Sequence, residues 1–164
     1  MKQFLVAWAL VILSTNAFIF RQDYHTHQRQ LNRLKFVCEE AAAAAAQYQD
    51  PNEYKNGTFV FNREEGIKAA EYIIKSNLKL DDNFVPKQGG YWQSKVTYKI
   101  EFFDEGNVNF NNQRPLYEHP SGMLTQVITS PTIVVSIDAG KPVYRQGFQV
   151  GNAFRVAAHG WKGI

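Results

Sequence analysis

Cysteine is almost missing from this chain: Cys38 is the only one in 164 residues. One thiol excludes an intrachain disulfide framework and any metal site built from several cysteines. Its place between Leu34 and the pair Ala41 and Ala42 predicts a small buried core residue. A bridge to a second copy is the alternative in an oxidising compartment. Proline and glycine are absent before Pro51, so a helix can run about 45 residues, or roughly 65 Å, without a breaker. A folded body of this size cannot enclose such a rod. Its front part therefore lies in a bilayer, is cut off, or packs against other copies.

Absent motifs remove further classes. Gly89-Gly90 lacks the lysine and following helix of a phosphate loop, and neither Gly-x-Ser-x-Gly nor His-Glu-x-x-His occurs. Glu64-Glu65 and Asp81-Asp82 read as a helix cap and a turn. A catalytic set from His119, His159, Asp104 or Asp138 and a serine would have to be assembled by the fold alone. The reading is therefore a protein that does not catalyse, with no cofactor and no metal. His25 and His27 do not suggest a metal site either, because on a helix their rings point about 200° apart; they read as solvated or interfacial. The net charge of +3 is mild and points to no nucleic acid. Acids are missing from Ala139–Ile164, which holds Lys141, Arg145, Arg155 and Lys162. Cations spread this widely read as a solvated face, with contact to an anionic surface as the sharper alternative.

What is present begins with apolar Phe4–Phe20, in which Phe4, Leu5, Trp8, Leu10, Ile12, Leu13, Phe18 and Phe20 are the large residues. As an anchor it is near the lower limit for spanning a bilayer. As an export signal it has Lys2 as flank and Thr15-Asn-Ala17 as a small-x-small cleavage site. Resumption of apolar residues at Phe18 favours the anchor. The flanking charges, Lys2 against Arg21, Arg29, Arg33 and Lys35, would put the C-terminal domain inside by the charge rule. The very short N-terminal flank fits export instead, and we take that orientation. A soluble, buried helix is the third reading.

Residues 21–50 continue the helix. Leu31, Leu34, Cys38, Ala41, Ala45 and Tyr48 recur at helical spacing and form its packing seam, which narrows into a run of alanines that lets a neighbour approach closely. Asp50-Pro51 ends it. Residues 51–164 form one α+β domain. Thr58–Phe61 is β-prone; Asn62 and Glu65 suggest a capping box for a helix reaching Ser76-Asn77. Trp92, Ser94, Val96, Tyr98, Ile100 and Phe102 alternate with polar residues as a half-buried strand. Val108–Gly122 reads as a long loop or a poorly paired strand. Leu124–Thr129, Thr132–Ile137, Val143–Tyr144, Phe148–Val150 and Ala153–Ala158 are candidates to complete an antiparallel meander of three to five strands, across which the long helix would lie.

This layout resembles the pilin-like proteins of bacteria, and more closely the TadE/TadG-like minor pseudopilins of tight-adherence pili. Arg29-Gln-Leu-Asn-Arg-Leu-Lys35 leading into Val37-Cys-Glu-Glu and the alanines to Ala46 is similar to the segment that follows their membrane helix. The likeness covers residues 1–50 in detail and the rest as architecture. Met1-Lys2-Gln3 supplies no glycine for a prepilin peptidase, and no acid precedes Asp23. The resemblance then implies an accessory subunit held by its membrane helix, or a relative that has lost the processing site. It implies a bacterial membrane location with the domain outside the cytoplasm, or an extracellular filament, and other protein subunits as partners. Tyr91, Tyr98, Phe103, Phe110 and Tyr117 are the candidate partner surface. The alternatives are a stand-alone domain binding cell-wall or glycan ligands through exposed aromatics and the basic end, and, third, a small hydrolase.

Overall fold

The computed structural model describes residues 1–112, 114–142 and 151–161. In chain order they form α1 (Lys2–Ala45), α2 (Pro51–Lys55), α3 (Arg63–Leu78), β1 (Thr97–Phe103), β2 (Leu116–Glu118), β3 (Thr125–Val127), β4 (Thr132–Asp138) and β5 (Phe154–Gly160). The class is α+β, a long N-terminal helix packed on a small antiparallel sheet.

Helix α1 runs unbroken for 44 residues. It stops at Ala45, short of Tyr48, because the chain must leave the helical region before Pro51. Gln47 N and Tyr48 N bond to Ala44 O and Ala45 O in a tightened last turn, and Asp50 adopts extended geometry. The Asp50 carboxylate accepts from Asn52 N and Glu53 N and caps the short α2. Helix α3 begins as the sequence suggests, with Asn62 Oδ1 accepting from Glu65 N at 3.2 Å. The reciprocal half of the box is not made: Asn62 N bonds to Tyr48 O, and the Glu65 carboxylate pairs with Lys68. The helix runs one residue past Asn77 and closes on Lys79 at φ 56°.

Strands β1, β4 and β5 form an antiparallel sheet in the order β1-β4-β5, and β2 and β3 a separate hairpin. The central β4 is buried on both faces except at Asp138. Its front residues Ile133, Val135 and Ile137 join the core with Leu34, Val37, Cys38, Ala41, Ala42 and Ala45 of α1. Tyr98, Ile100 and Phe102 of β1 pack against the same core, and α3 lies over that side. Gly66 of α3 allows the close fit, since a Cβ there would stand 3.2 Å from Ala45 O and 3.3 Å from the Phe102 ring. Gly140, at φ 73°, turns the chain after β4; a Cβ would meet Ser94 Cβ at 2.6 Å.

Two strand expectations need correction. Thr58–Phe61 contributes only an isolated bridge, Gln49 with Phe61, because its neighbours turn to serve the Asp104 corner described below. The alternating run from Trp92 becomes a strand only at Thr97: Val96 N bonds to Phe84 O, and Trp92–Val96 wraps the end of the core as coil. Within Val108–Gly122, Leu116–Glu118 does pair, with Thr125–Val127. Val143–Tyr144 and Phe148–Val150 lie outside the described residues, as do Arg145 and Lys162 of the basic end.

Candidate membrane anchor and partner surfaces

The first half of α1 stands clear of the domain. An 18-residue window near the N-terminus has mean hydropathy 1.8 and none of it is buried. Phe4, Leu5, Trp8, Leu10, Ile12, Leu13, Phe18 and Phe20 are 45–68% exposed, a continuous apolar surface well beyond what soluble monomers present. Its polar interruptions are satisfied locally. Ser14 Oγ and Thr15 Oγ1 donate to Val11 O at 2.9 and 2.8 Å, and Asn16 Nδ2 donates to Ile12 O at 2.8 Å. Such back-bonding is how hydroxyls and amides are tolerated in lipid, where water is not there to pair with them. Phe4–Phe20 rises about 26 Å against a hydrocarbon core of about 30 Å, and Lys2 and Arg21 can extend their stems to make up the rest. The segment is thus long and apolar enough to serve as a membrane anchor, and an export signal has the same properties.

From Asp23 on, the same helix enters the domain. Leu34, Cys38, Ala41 and Ala45 are fully buried and Leu31 packs against the core from its edge. Tyr48 does not belong to this seam: it lies beyond the helix end and is 41% exposed. Cys38 Sγ faces inward and donates to Arg155 O at 3.5 Å, and burial pushes its thiol up to about 12. A bridge to a second copy would require the domain to open.

Two residues were missed by sequence reasoning. Asp23 and His27, one turn apart, are both buried. His27 Nδ1 lies 3.1 Å from the Tyr91 hydroxyl, and burial, followed by the charge of Arg155, lowers its pKa. The polar decapeptide Arg21–Gln30 therefore begins the domain rather than a wet linker; the four-residue spacing of Asp23 and His27, in phase with Leu34, was the available signal. Arg155, half-buried and opposite Ile137 on the front face of β5, acts on His27 and Cys38 of α1 rather than standing wholly in solvent.

The five aromatics expected to meet partners are all half-buried, and Tyr91, Tyr98, Phe103 and Tyr117 are engaged within the chain. Tyr91 holds His27 and packs edge-on to Trp92. Tyr98 donates to Glu71 and lies against Phe84, and its hydroxyl is pushed up to about 12 by burial and then by that carboxylate. Tyr117 donates to Glu101 Oε2 at 2.7 Å and meets Phe103 edge-on, which fastens the β2–β3 hairpin to the back of the sheet. Burial alone would raise Glu101, but the Tyr117 and Lys99 hydrogen bonds and the charges of Lys99 and His119 bring it below the usual range. Phe110 is half-buried in the turn before β2. The large apolar side chains exposed on the domain are others, among them Tyr54, Tyr72, Leu116, Met123 and Val127.

His119, Ser136 and Asp138 line one shallow cavity of about 270 Å³, but they make no catalytic chain. His119 Nδ1 is taken by Ser121, at 2.9 Å to its Oγ and 3.1 Å to its N, while the imidazole lies against Phe154. The Asp138 carboxylate accepts from Gly140 N and Asn152 Nδ2. Among the described residues no group of histidine, cysteine and acids is arranged to hold a metal. Comparison with models of known protein families, with curated proteins and with solved structures gives no match.

Proposed function

We propose that this chain is a membrane-anchored structural subunit, of the kind that builds pilus or secretion-type assemblies, working by helix packing and partner binding rather than by catalysis. Phe4–Phe20 holds it in the bilayer or among like helices of other subunits, and α1 carries the α+β domain out of the bacterial membrane, away from the cytoplasm. The observation behind this reading is continuity. One unbroken helix passes from an exposed apolar half into the buried seam of the domain, so anchor and domain share one element. An export signal destined for removal has no need to be built into the same rod as the core.

The test is expression of the full chain in bacteria, followed by alkaline extraction of membranes, protease treatment of spheroplasts and mass spectrometry of the mature N-terminus. The expected result is an intact chain that stays with the membrane, has a domain cleaved from outside, and crosslinks to other subunits through Phe4–Phe20. A wholly soluble cytoplasmic protein, or a soluble product beginning after Ala17, overturns it.

A further inference from the structure

At the end of the domain farthest from the apolar segment, a cleft of about 810 Å³ opens beside the last turn of α1. From Phe20 to Ala46 the helix climbs about 40 Å, so the cleft lies well clear of any membrane that holds the anchor. Gln47, Gln49 and Tyr54 reach it from the corner between α1 and α2, and His159 and Trp161 from the end of β5. Ala43, Ala46, Ala158 and Gly160 complete the lining. Because these are small, a flat ligand can come close to the helix and strand backbones.

The lining selects by chemistry. Among the described residues its lining contains no Asp, Glu, Lys or Arg, so these side chains offer a phosphate or carboxylate no countercharge. Two primary amides, an imidazole and a phenol supply both donors and acceptors, and none of these four side chains hydrogen-bonds to another described residue. A purely apolar ligand would strip them of water and leave them unpaired, at a cost per group that apolar contact over so open a site does not recover. Tyr54 presents a ring that is 54% exposed. Trp161 is fixed by Phe59 behind it, 4.1 Å between ring centroids, and by its backbone N bonding to Pro131 O. Fixed aromatic surface, neutral hydrogen-bonding groups and a smooth floor match a ligand with C–H faces and a hydroxyl rim. From this geometry we infer a binding site for a neutral saccharide chain, read by aromatic stacking and by the two glutamine amides. The site is built from residues distant from the anchor and does not depend on how the chain is held.

The test uses the full chain in phosphatidylcholine nanodiscs, since a sugar-headed detergent would compete. Cellotetraose, chitotetraose and mannotetraose are titrated to about 10 mM, the range of weak specific binding, with calorimetry and tryptophan fluorescence as readouts. At least one should saturate, and Tyr54→Ala and Gln49→Ala should each weaken it by about tenfold, while Tyr72→Ala, exposed outside the cleft, changes nothing. All three variants alter exposed side chains; His159→Ala replaces any that fails to fold, as judged by circular dichroism. Flat titrations with all three sugars, or binding indifferent to the cleft variants, overturn the site. Membrane retention is the same in every variant, so failure here is distinct from failure of the anchor.

Discussion

His27 Nδ1 lies 3.1 Å from the Tyr91 hydroxyl, with the two rings stacked at 6.3 Å, where α1 passes from its exposed half into the domain. Burial and the nearby Arg155 charge lower the His27 pKa from 6.5. The unfolded chain therefore takes up this proton first as pH falls, so the stabilisation tied to neutral His27 is present above about 6.5 and is lost below it, down to the folded pKa. Thermal unfolding at pH 7.5 and 5.5 should show a larger drop for the wild-type domain than for His27→Gln. Equal drops would mean that His27 titrates alike in both states.

Asp104 is the buried hinge of the domain's irregular half. Fully inaccessible, its carboxylate accepts from Phe61 N at 3.3 Å and Gly106 N at 3.1 Å, and Arg63 stands 3.8 Å away. Its backbone N donates to Asn107 Oδ1, and its carbonyl accepts from Asn107 N and Val108 N. Removing the carboxylate leaves two amides without acceptors. Asp104→Ala should cost about 2–4 kcal/mol in urea unfolding. Arg63→Ala, at a largely exposed guanidinium, should cost no more than about 1 kcal/mol. If the two variants are equally damaging, the ion pair rather than the amides holds the corner.

These two sites mark where the sequence was legible and where it was not. The lack of breakers located α1, a cap and helical spacing α3, alternation the strand β1, and β-prone runs β4 and β5. Periodicity placed Leu34, Cys38, Ala41 and Ala45 on one helix face, and that face is buried. It failed where a residue serves a distant partner. Asp104 reads as turn chemistry, yet one of its amides comes from Phe61, forty-three positions earlier. Tyr98 and Tyr117 read as candidate surface because nothing local reveals that Glu71 and Glu101 await their hydroxyls. Thr58–Phe61 has strand composition, but its Phe59 and Phe61 amides go to the Glu105 and Asp104 carboxylates rather than to a strand.

Ala42 tests the reason for the alanine run. It is fully buried between α1 and its neighbours, so Ala42→Leu forces the helix away from the sheet and α3. Overpacking of this kind costs about 1–3 kcal/mol, although leucine is nearly as good a helix former. Ala44→Leu, on the partly open side of the same turn, should change stability by less than about 0.5 kcal/mol. Comparable losses at both positions would show that propensity, not closeness, is what the alanines provide.

Leu10 sits midway along the exposed apolar segment at 61% accessibility. An arginine at the centre of a spanning helix costs about 2.5–3.5 kcal/mol on insertion scales, which is severe for a span near the minimum length. Leu10→Arg should move much of the protein from the alkali-resistant membrane fraction to the soluble or degraded pool, whereas Leu10→Phe should leave it in place. Unchanged retention with arginine would mean that this stretch does not lie in hydrocarbon.

Cys38 reports on whether the domain opens. Its thiol is fully buried, donates to Arg155 O, and is pushed from 9.0 up to about 12, chiefly by loss of water. Only the thiolate attacks a maleimide or a disulfide, and a raised pKa leaves little of it near neutral pH. Shielding slows the reaction further. Labelling of the native chain at pH 8 should therefore be slower than in urea by orders of magnitude and proceed through opening of the domain. Non-reducing gels of oxidised membranes should contain no dimer linked through Cys38. Rapid labelling of the folded protein, or such a dimer under native conditions, would mean that the seam between α1 and β5 separates readily and that the thiol is available to a second copy.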